Sequence, residues 1–105
     1  MKNYFYVDTD QKLKEIFHDY CNLSPEQYEE LRAELIYLVS DYQEGEPQAE
    51  IEKRIAYLKS AFEFLYNTKE LSVKQHHELG ELIDKIRTEA ERGAIRAAME
   101  KGTVL

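Results

Sequence analysis

The sequence predicts an all-α protein that folds as an antiparallel, up-down four-helix bundle. Apolar residues recur every three to four positions in four separate segments, which is the period of an amphipathic helix. Short polar connections join these segments, and no stretch shows the strict alternation of a convincing strand. With 105 residues, of which 43% are hydrophobic and 33% charged, the chain suits a single domain with one core over residues 1–105.

The first helix is predicted over residues 9–21, with Asp8 or Thr9 as its N-cap. Its apolar residues follow the i, i+3, i+4, i+7 pattern of one helix face: Leu13, Ile16, Phe17 and Tyr20. Four consecutive large residues stand before it, Tyr4-Phe5-Tyr6-Val7. We expect this stretch to pack over the bundle as an extended arm, and a partner-binding surface is the alternative.

The second and fourth helices are predicted to begin with the same motif. Leu, Ser and Gln stand in one register in Leu23-Ser24-Pro25-Glu26-Gln27 and in Leu71-Ser72-Val73-Lys74-Gln75. In each copy the Ser fits the N-cap, the Gln three residues later completes a capping box, and the Leu acts as a hydrophobic staple. The repeat therefore reflects how helices start and carries no shared chemistry.

The second helix is predicted over residues 25–43 and the third over residues 48–67. The apolar seam of the second comprises Tyr28, Leu31, Leu35, Leu38 and Tyr42, broadened by Ile36 and Val39. The seam of the third comprises Ile51, Ile55, Leu58, Phe62 and Leu65, with Ala61 and Phe64 filling out its face. Gly45 and Pro47 make the connection a short turn, so these helices should be antiparallel neighbours.

The fourth helix is predicted over residues 73–92. Its seam of Leu79, Leu82, Ile83 and Ile86 weakens to Ala90, Ala94 and Ala97. A glycine inside a helix costs about 1 kcal/mol relative to alanine, so we expect a break or bend at Gly93. Residues 94–101 would then form a separate short helical segment.

The net charge of −7 is concentrated in one part of the chain. Residues 23–47 hold seven acids against a single base, Arg32. This balance disfavours direct nucleic-acid binding, which depends on Lys and Arg at the phosphates. Glu29, Glu30 and Glu34 are instead candidates for contact with a basic partner, and a solvated helix face is the alternative.

A cytoplasmic location is expected. No run approaches the ~20 apolar residues of a membrane-spanning helix, and the first residues are too polar for a signal-peptide core. The one cysteine, Cys21, cannot form an intramolecular disulfide, which agrees with a reducing compartment.

Motifs for catalysis, metals or cofactors are weak. Glu15 and His18 have the Glu-x-x-His spacing of di-iron bundles but occur in one copy only. The adjacent His76 and His77 point about 100° apart on a helix. We therefore expect no catalytic residue, no metal site and no cofactor.

Acidic residues give one loose enzymatic resemblance. Glu29-Glu30 with Glu34, and Glu81-x-x-Asp84, resemble the acidic helices with which nucleotide pyrophosphatases of the MazG type hold magnesium. Glu34 is displaced by one residue from the Glu-Glu-x-x-Glu spacing of that family. A magnesium-dependent nucleotide pyrophosphatase is the weaker alternative function.

Three stretches in the second half carry another resemblance. They are Arg54-Ile55-Ala56-Tyr57-Leu58, Leu65-Tyr66-Asn67-Thr68-Lys69 and Asp84-Lys85-Ile86-Arg87-Thr88-Glu89-Ala90. This combination of an aromatic-rich third helix, an Asn/Thr/Lys turn and a capped amphipathic fourth helix resembles the immunity proteins for pediocin-like bacteriocins, of the enterocin A immunity type.

The resemblance implies a cytoplasmic antiparallel bundle that acts on the sugar-transporter permease targeted by the bacteriocin. Specificity in that family resides in the C-terminal region, which is residues 93–105 here. Arg92, just before this region, and Arg96 and Lys101 within it recur at four- and five-residue spacing. They are candidate partner-binding residues, with pairing to the bundle's own acids as the alternative. The acidic net charge departs from the more basic members of the family.

The sequence thus predicts a non-enzymatic protein-binding module, most like a bacteriocin-immunity protein acting on a membrane receptor. The principal alternative is an acidic inhibitor or regulator, such as a phage-encoded protein, whose second helix occupies a basic groove of its partner. A homo-oligomer joined through the Tyr-rich helices is a further alternative.

Overall fold

The structure is a computed structural model that describes residues 8–17 and 22–100, with side chains as far as residue 93. Four helices occupy these ranges: α1 (Thr9–Ile16), α2 (Pro25–Glu44), α3 (Gln48–Asn67) and α4 (Val73–Glu100). No strand is present in this part of the chain. The all-α four-helix bundle is confirmed.

The helices do not all contact one another. α2 packs against α1, α3 and α4, and α4 packs against α1, α2 and α3, whereas α1 and α3 make no contact. α1 and α3 therefore lie at diagonal corners of the bundle. The eight residues of α1 span about 12 Å, against about 30 Å for the twenty of α2.

The core lies where the four helices turn their seams toward one another. Its fully buried side chains come from every helix: Leu13, Leu35, Leu38, Leu58, Leu79, Ile83 and Ile86. Replacing one such buried leucine by alanine typically lowers the free energy of unfolding by about 2–5 kcal/mol. This shared interior therefore holds the bundle together.

Both predicted capping boxes are present. Ser24 Oγ accepts a hydrogen bond from the Gln27 amide at 3.1 Å, and Gln27 Oε1 accepts one from the Ser24 amide at 2.9 Å. Ser72 and Gln75 make the same reciprocal bonds at 3.1 and 3.0 Å. The polar starts of α2 and α4 are satisfied by their own side chains, as the repeated motif predicts.

Asp8, one of the two proposed caps of α1, accepts from the Gln11 amide at 2.9 Å. The helix was expected to run to residue 21, but it ends at Ile16. Phe17 has left helical geometry (φ −100°, ψ 20°) and packs edge-on against Tyr28, with ring centres 5.6 Å apart. Residues 18–21, like the 4–7 stretch, lie outside the described residues.

The expected break at Gly93 is wrong, because α4 continues without interruption to Glu100. Gly93 is buried, so the small residue occupies a packed position next to the buried Ala90. The cost of about 1 kcal/mol for a helical glycine is small beside five preceding turns anchored in the core, and Ala is the best helix former for the residues beyond. Residues 94–100 therefore extend α4.

Replacing either capping serine by alanine should lower the free energy of unfolding by about 1 kcal/mol, because an amide of the first turn loses its partner. Urea denaturation of Ser24→Ala and Ser72→Ala checks this. Ser60→Ala, at an exposed position inside α3, is the matched control and should not destabilise the protein. Equal effects of all three substitutions would contradict the capping assignment.

Candidate protein-binding surface

Large aromatic side chains are exposed on the outer side of α2 and α3. Tyr37 is 51% exposed, Tyr57 60% and Phe64 64%. Tyr57 and Phe64 are seven residues apart, so they lie two turns apart on the same side of α3. Grouped exposed aromatics on one side of a small domain mark a contact surface more often than isolated ones do.

Tyr57 and Phe64 border a groove of about 400 Å³ that runs between the two helices. Its lining comes only from α2 and α3: Gln27, Glu30, Leu31, Glu34, Tyr57, Leu58, Ser60, Ala61, Phe64 and Leu65. The small side chains of Ser60 and Ala61 leave space between the larger ones. Since α1 lies at the corner diagonal to α3, α1 does not cover this side. We call Glu30, Glu34, Tyr37, Tyr57 and Phe64 with this groove the aromatic–acidic surface.

Arg54 fixes the two helices at one end of the surface. Its Nε donates to an Asp41 carboxylate oxygen, and its Nη1 donates to Glu34 Oε2 at 2.9 Å. The guanidinium carbon lies 5.4 Å from the centre of the Tyr37 ring. Arginine is a permanent cation at neutral pH, and the hydrogen bond to Asp41 raises the pKa of Arg54 further above its ordinary value.

The three acidic candidates on α2 do not form one patch. Glu30 and Glu34 line the groove, whereas Glu29 lies 3.6 Å from Arg32 in a contact outside the groove. Arg32 in turn donates to Asp10 of α1 at 2.6 Å, and this bond lowers the pKa of the Asp10 carboxyl. Among the described residues Glu30 has no ion pair, while Glu34 is neutralised by Arg54.

The basic candidates of the fourth helix are described only in part. Arg92 is exposed, and its Nη1 donates to Glu89 of the same helix at 3.1 Å. The side chain of Arg96 and the whole of Lys101 lie outside the described residues. The stripe itself stays a prediction.

Among the described residues, acidic and histidine side chains do not assemble a metal site. In the described ranges no group of three or more His, Cys, Asp or Glu side chains could hold a metal ion. Glu81 lies in a separate groove between α1 and α4, and Glu34 is bonded to Arg54. His76 is bonded to Glu63 at 2.9 Å. The two acidic elements of the MazG-type resemblance are therefore not brought together here.

Sequence reasoning missed the aromatic half of the surface. Phe64 was expected to fill out the core face of α3, and this is wrong, since most of its side chain faces solvent. Its position lies on the flank of the seam that runs through Leu58 and Phe62. The available signal was the seven-residue spacing of Tyr57 and Phe64 on that flank.

No protein-family model, curated protein or solved structure matches this chain. The immunity-type resemblance therefore stays a prediction. In the part of the chain that the structure describes, none of the helices has the length and apolar composition needed to cross a membrane.

Replacing Arg54 by methionine should lower the free energy of unfolding by about 1–2 kcal/mol, because two charge-assisted hydrogen bonds between α2 and α3 are lost. Arg54→Lys should recover less than half of this, since lysine cannot make both bonds from one planar group. Denaturant unfolding measures both variants.

Arg32→Met is the matched control for Arg54→Met. The Arg32 and Asp10 side chains are 37% and 49% exposed, so their ion pair is better hydrated than that of Arg54. Its loss should cost at most about 1 kcal/mol. A larger loss for Arg32→Met than for Arg54→Met would contradict the role given to Arg54.

Proposed function

We propose that the chain is a non-enzymatic protein-binding module that holds a basic protein partner on its aromatic–acidic surface. The observation that carries this proposal is the exposure of Tyr57 and Phe64 beside a groove whose α2 rim bears Glu30. Aromatic anchors in the centre and charges at the rim are the arrangement of protein–protein interfaces.

The energetic gain from covering the aromatics is substantial. Full burial of a side chain such as Phe contributes about 1.5–3 kcal/mol, and Phe64 still has 64% of its surface to lose. Contact with Phe64 and Tyr57 therefore supplies about 2–4 kcal/mol before any charge interaction. A groove shared by two rigid helices also needs little ordering when a partner binds, which preserves most of this gain.

The negative charge of the chain favours a positively charged partner. The chain carries −7 overall, and Glu30 reaches the groove without an ion pair in the described residues. A basic partner is attracted to this surface at a distance and keeps the glutamate compensated once water is excluded. The proposal thus keeps the acidic α2 as the side that attracts the partner. It narrows the candidate contact residues from Glu29, Glu30 and Glu34 to Glu30.

A photo-reactive residue at Tyr57 should crosslink the chain to a protein in its native cells, and the same residue at the exposed Val73 should not. Glu30→Lys should reduce the Tyr57 adduct about tenfold, because it reverses the charge at the groove. Mass spectrometry of the adducts gives the comparison.

Glu29→Lys is the control, because it makes the same change of net charge outside the groove and should reduce the adduct at most about twofold. Equal adducts from positions 57 and 73, or an adduct that Glu30→Lys leaves unchanged, would reject this surface as the binding site.

Bacteriocin immunity is a second candidate, favoured by the length of α4. α3 has 20 residues and α4 has 28, and a short turn joins them, so α4 extends about 12 Å past the start of α3. This extension begins the C-terminal region, residues 93–105, to which the resemblance assigns specificity. A helix that continues into this region suits contact with a membrane receptor.

Expression in a bacteriocin-sensitive strain tests the second candidate. Survival against a panel of pediocin-like peptides should be selective for one or a few peptides and should be lost when residues 94–105 are removed. Circular dichroism of the truncated chain establishes that the bundle remains folded. Protection against none of the peptides would reject the immunity function.

A further inference from the structure

The two rims of the groove differ in chemistry. On α3, Tyr57 and Phe64 stand two turns apart, which is about 10.5 Å along the helix axis. On α2, Glu30 and Glu34 stand about one turn apart on the opposite rim. The floor between them is apolar, formed by Leu31, Leu58 and Leu65.

We propose that the occupant of the groove is a single amphipathic α-helix of the partner, with an apolar stripe flanked on one side by Lys or Arg. This inference rests on the proposed function and adds the form of the partner. A helix repeats its apolar residues at i, i+3, i+4 and i+7, which matches the two-turn separation of Tyr57 and Phe64. A third helix laid between two antiparallel ones extends the packing that already forms the bundle.

An extended peptide suits this surface less well. Peptides that bind as strands add to an exposed sheet edge, and the described residues form helices and no strand. Helical backbone amides are bonded internally, so the groove offers side chains and not a backbone ladder. A helix brings its own satisfied backbone and needs only side-chain contacts.

The position of the partner's basic residues follows from the ion pairs. Arg54 already neutralises Glu34 and would repel a cation at the Tyr37 end of the groove. Glu30 lies toward the other end, where Glu70 also approaches through its 3.3 Å hydrogen bond with Gln27. The basic side chains of the occupant therefore gather at this second end, beside Phe64.

A second copy of the chain is a poor occupant by the same reasoning. Two identical surfaces placed face to face would bring Glu30 of one copy against the acidic surface of the other. Like charges that face each other across an interface weaken binding. Arg54 is already paired with Glu34 of its own chain, so it does not compensate them. A helix whose basic residues lie at the Glu30 end of the groove meets no such repulsion.

The test uses a fluorescent synthetic peptide of about five helical turns, monomeric in solution, with a leucine stripe and lysines along one flank. Anisotropy should report saturable binding to the full chain. A peptide of the same composition with the stripe scrambled should bind at least about tenfold more weakly, and one with glutamate in place of lysine should not bind.

Variants of the protein locate the site. Phe64→Glu should weaken binding at least about tenfold, whereas Val73→Glu, at a similarly exposed position outside the groove, should change it less than about twofold. Glu30→Lys should weaken binding and reduce its dependence on salt, and Glu29→Lys should do so much less. Circular dichroism confirms that each variant is folded.

Four results would overturn the inference. Equal binding of the scrambled peptide would show attraction by charge alone, and binding unaffected by Phe64→Glu would place the peptide elsewhere. A dimer in solution that Phe64→Glu dissociates would make a second copy the occupant. If the Tyr57 crosslink to a partner persists while the helical peptide fails to bind, the proposed function stands and the helical form of the partner is wrong.

Discussion

The contact of Arg54 with Asp41 and Glu34 is the interaction on which the surface of this bundle depends. It joins the outer sides of α2 and α3 while their inner seams meet in the core. The short connection around Gly45, whose positive φ of 74° ends α2, already makes the two helices antiparallel neighbours. The turn and the Arg54 contacts thus join α2 to α3 twice at this end of the groove.

Much of this architecture could be predicted from helix physics. The bounds of α3 and the starts of α2 and α4 follow from local signals, namely Pro47, the two capping serines and the seam periodicity. The burial of residues beside the seam could not be predicted. The apolar seam identifies the core side of a helix but does not show which neighbouring helix covers its flank. Phe64 is exposed on such a flank, and α1, which lies diagonally opposite α3, does not cover it.

The ion pairs of the acidic residues likewise depend on tertiary contacts that the local sequence does not show. Glu29, Glu30 and Glu34 look alike in sequence, yet their surroundings differ. Glu29 contacts Arg32, Glu34 is hydrogen-bonded to Arg54, and Glu30 borders the groove without an ion pair in the described ranges. The 22-residue separation of Arg32 from Asp10 lies beyond any helix period. Of these three carboxylates, only that of Glu30 borders the groove without an ion pair in the described ranges, and the proposed function therefore assigns specificity to the aromatic residues beside it.

The most direct measurement of the central claim is a nuclear magnetic resonance titration of the isotopically labelled chain with a basic amphipathic helical peptide. Residues of the groove, such as Glu30, Ala61 and Phe64, should show the largest chemical-shift changes. Residues of the α1–α4 groove, such as Lys85, should show small ones. Changes centred on the α1–α4 groove, or spread evenly over the four helices, would contradict the claim that α2 and α3 form the binding surface.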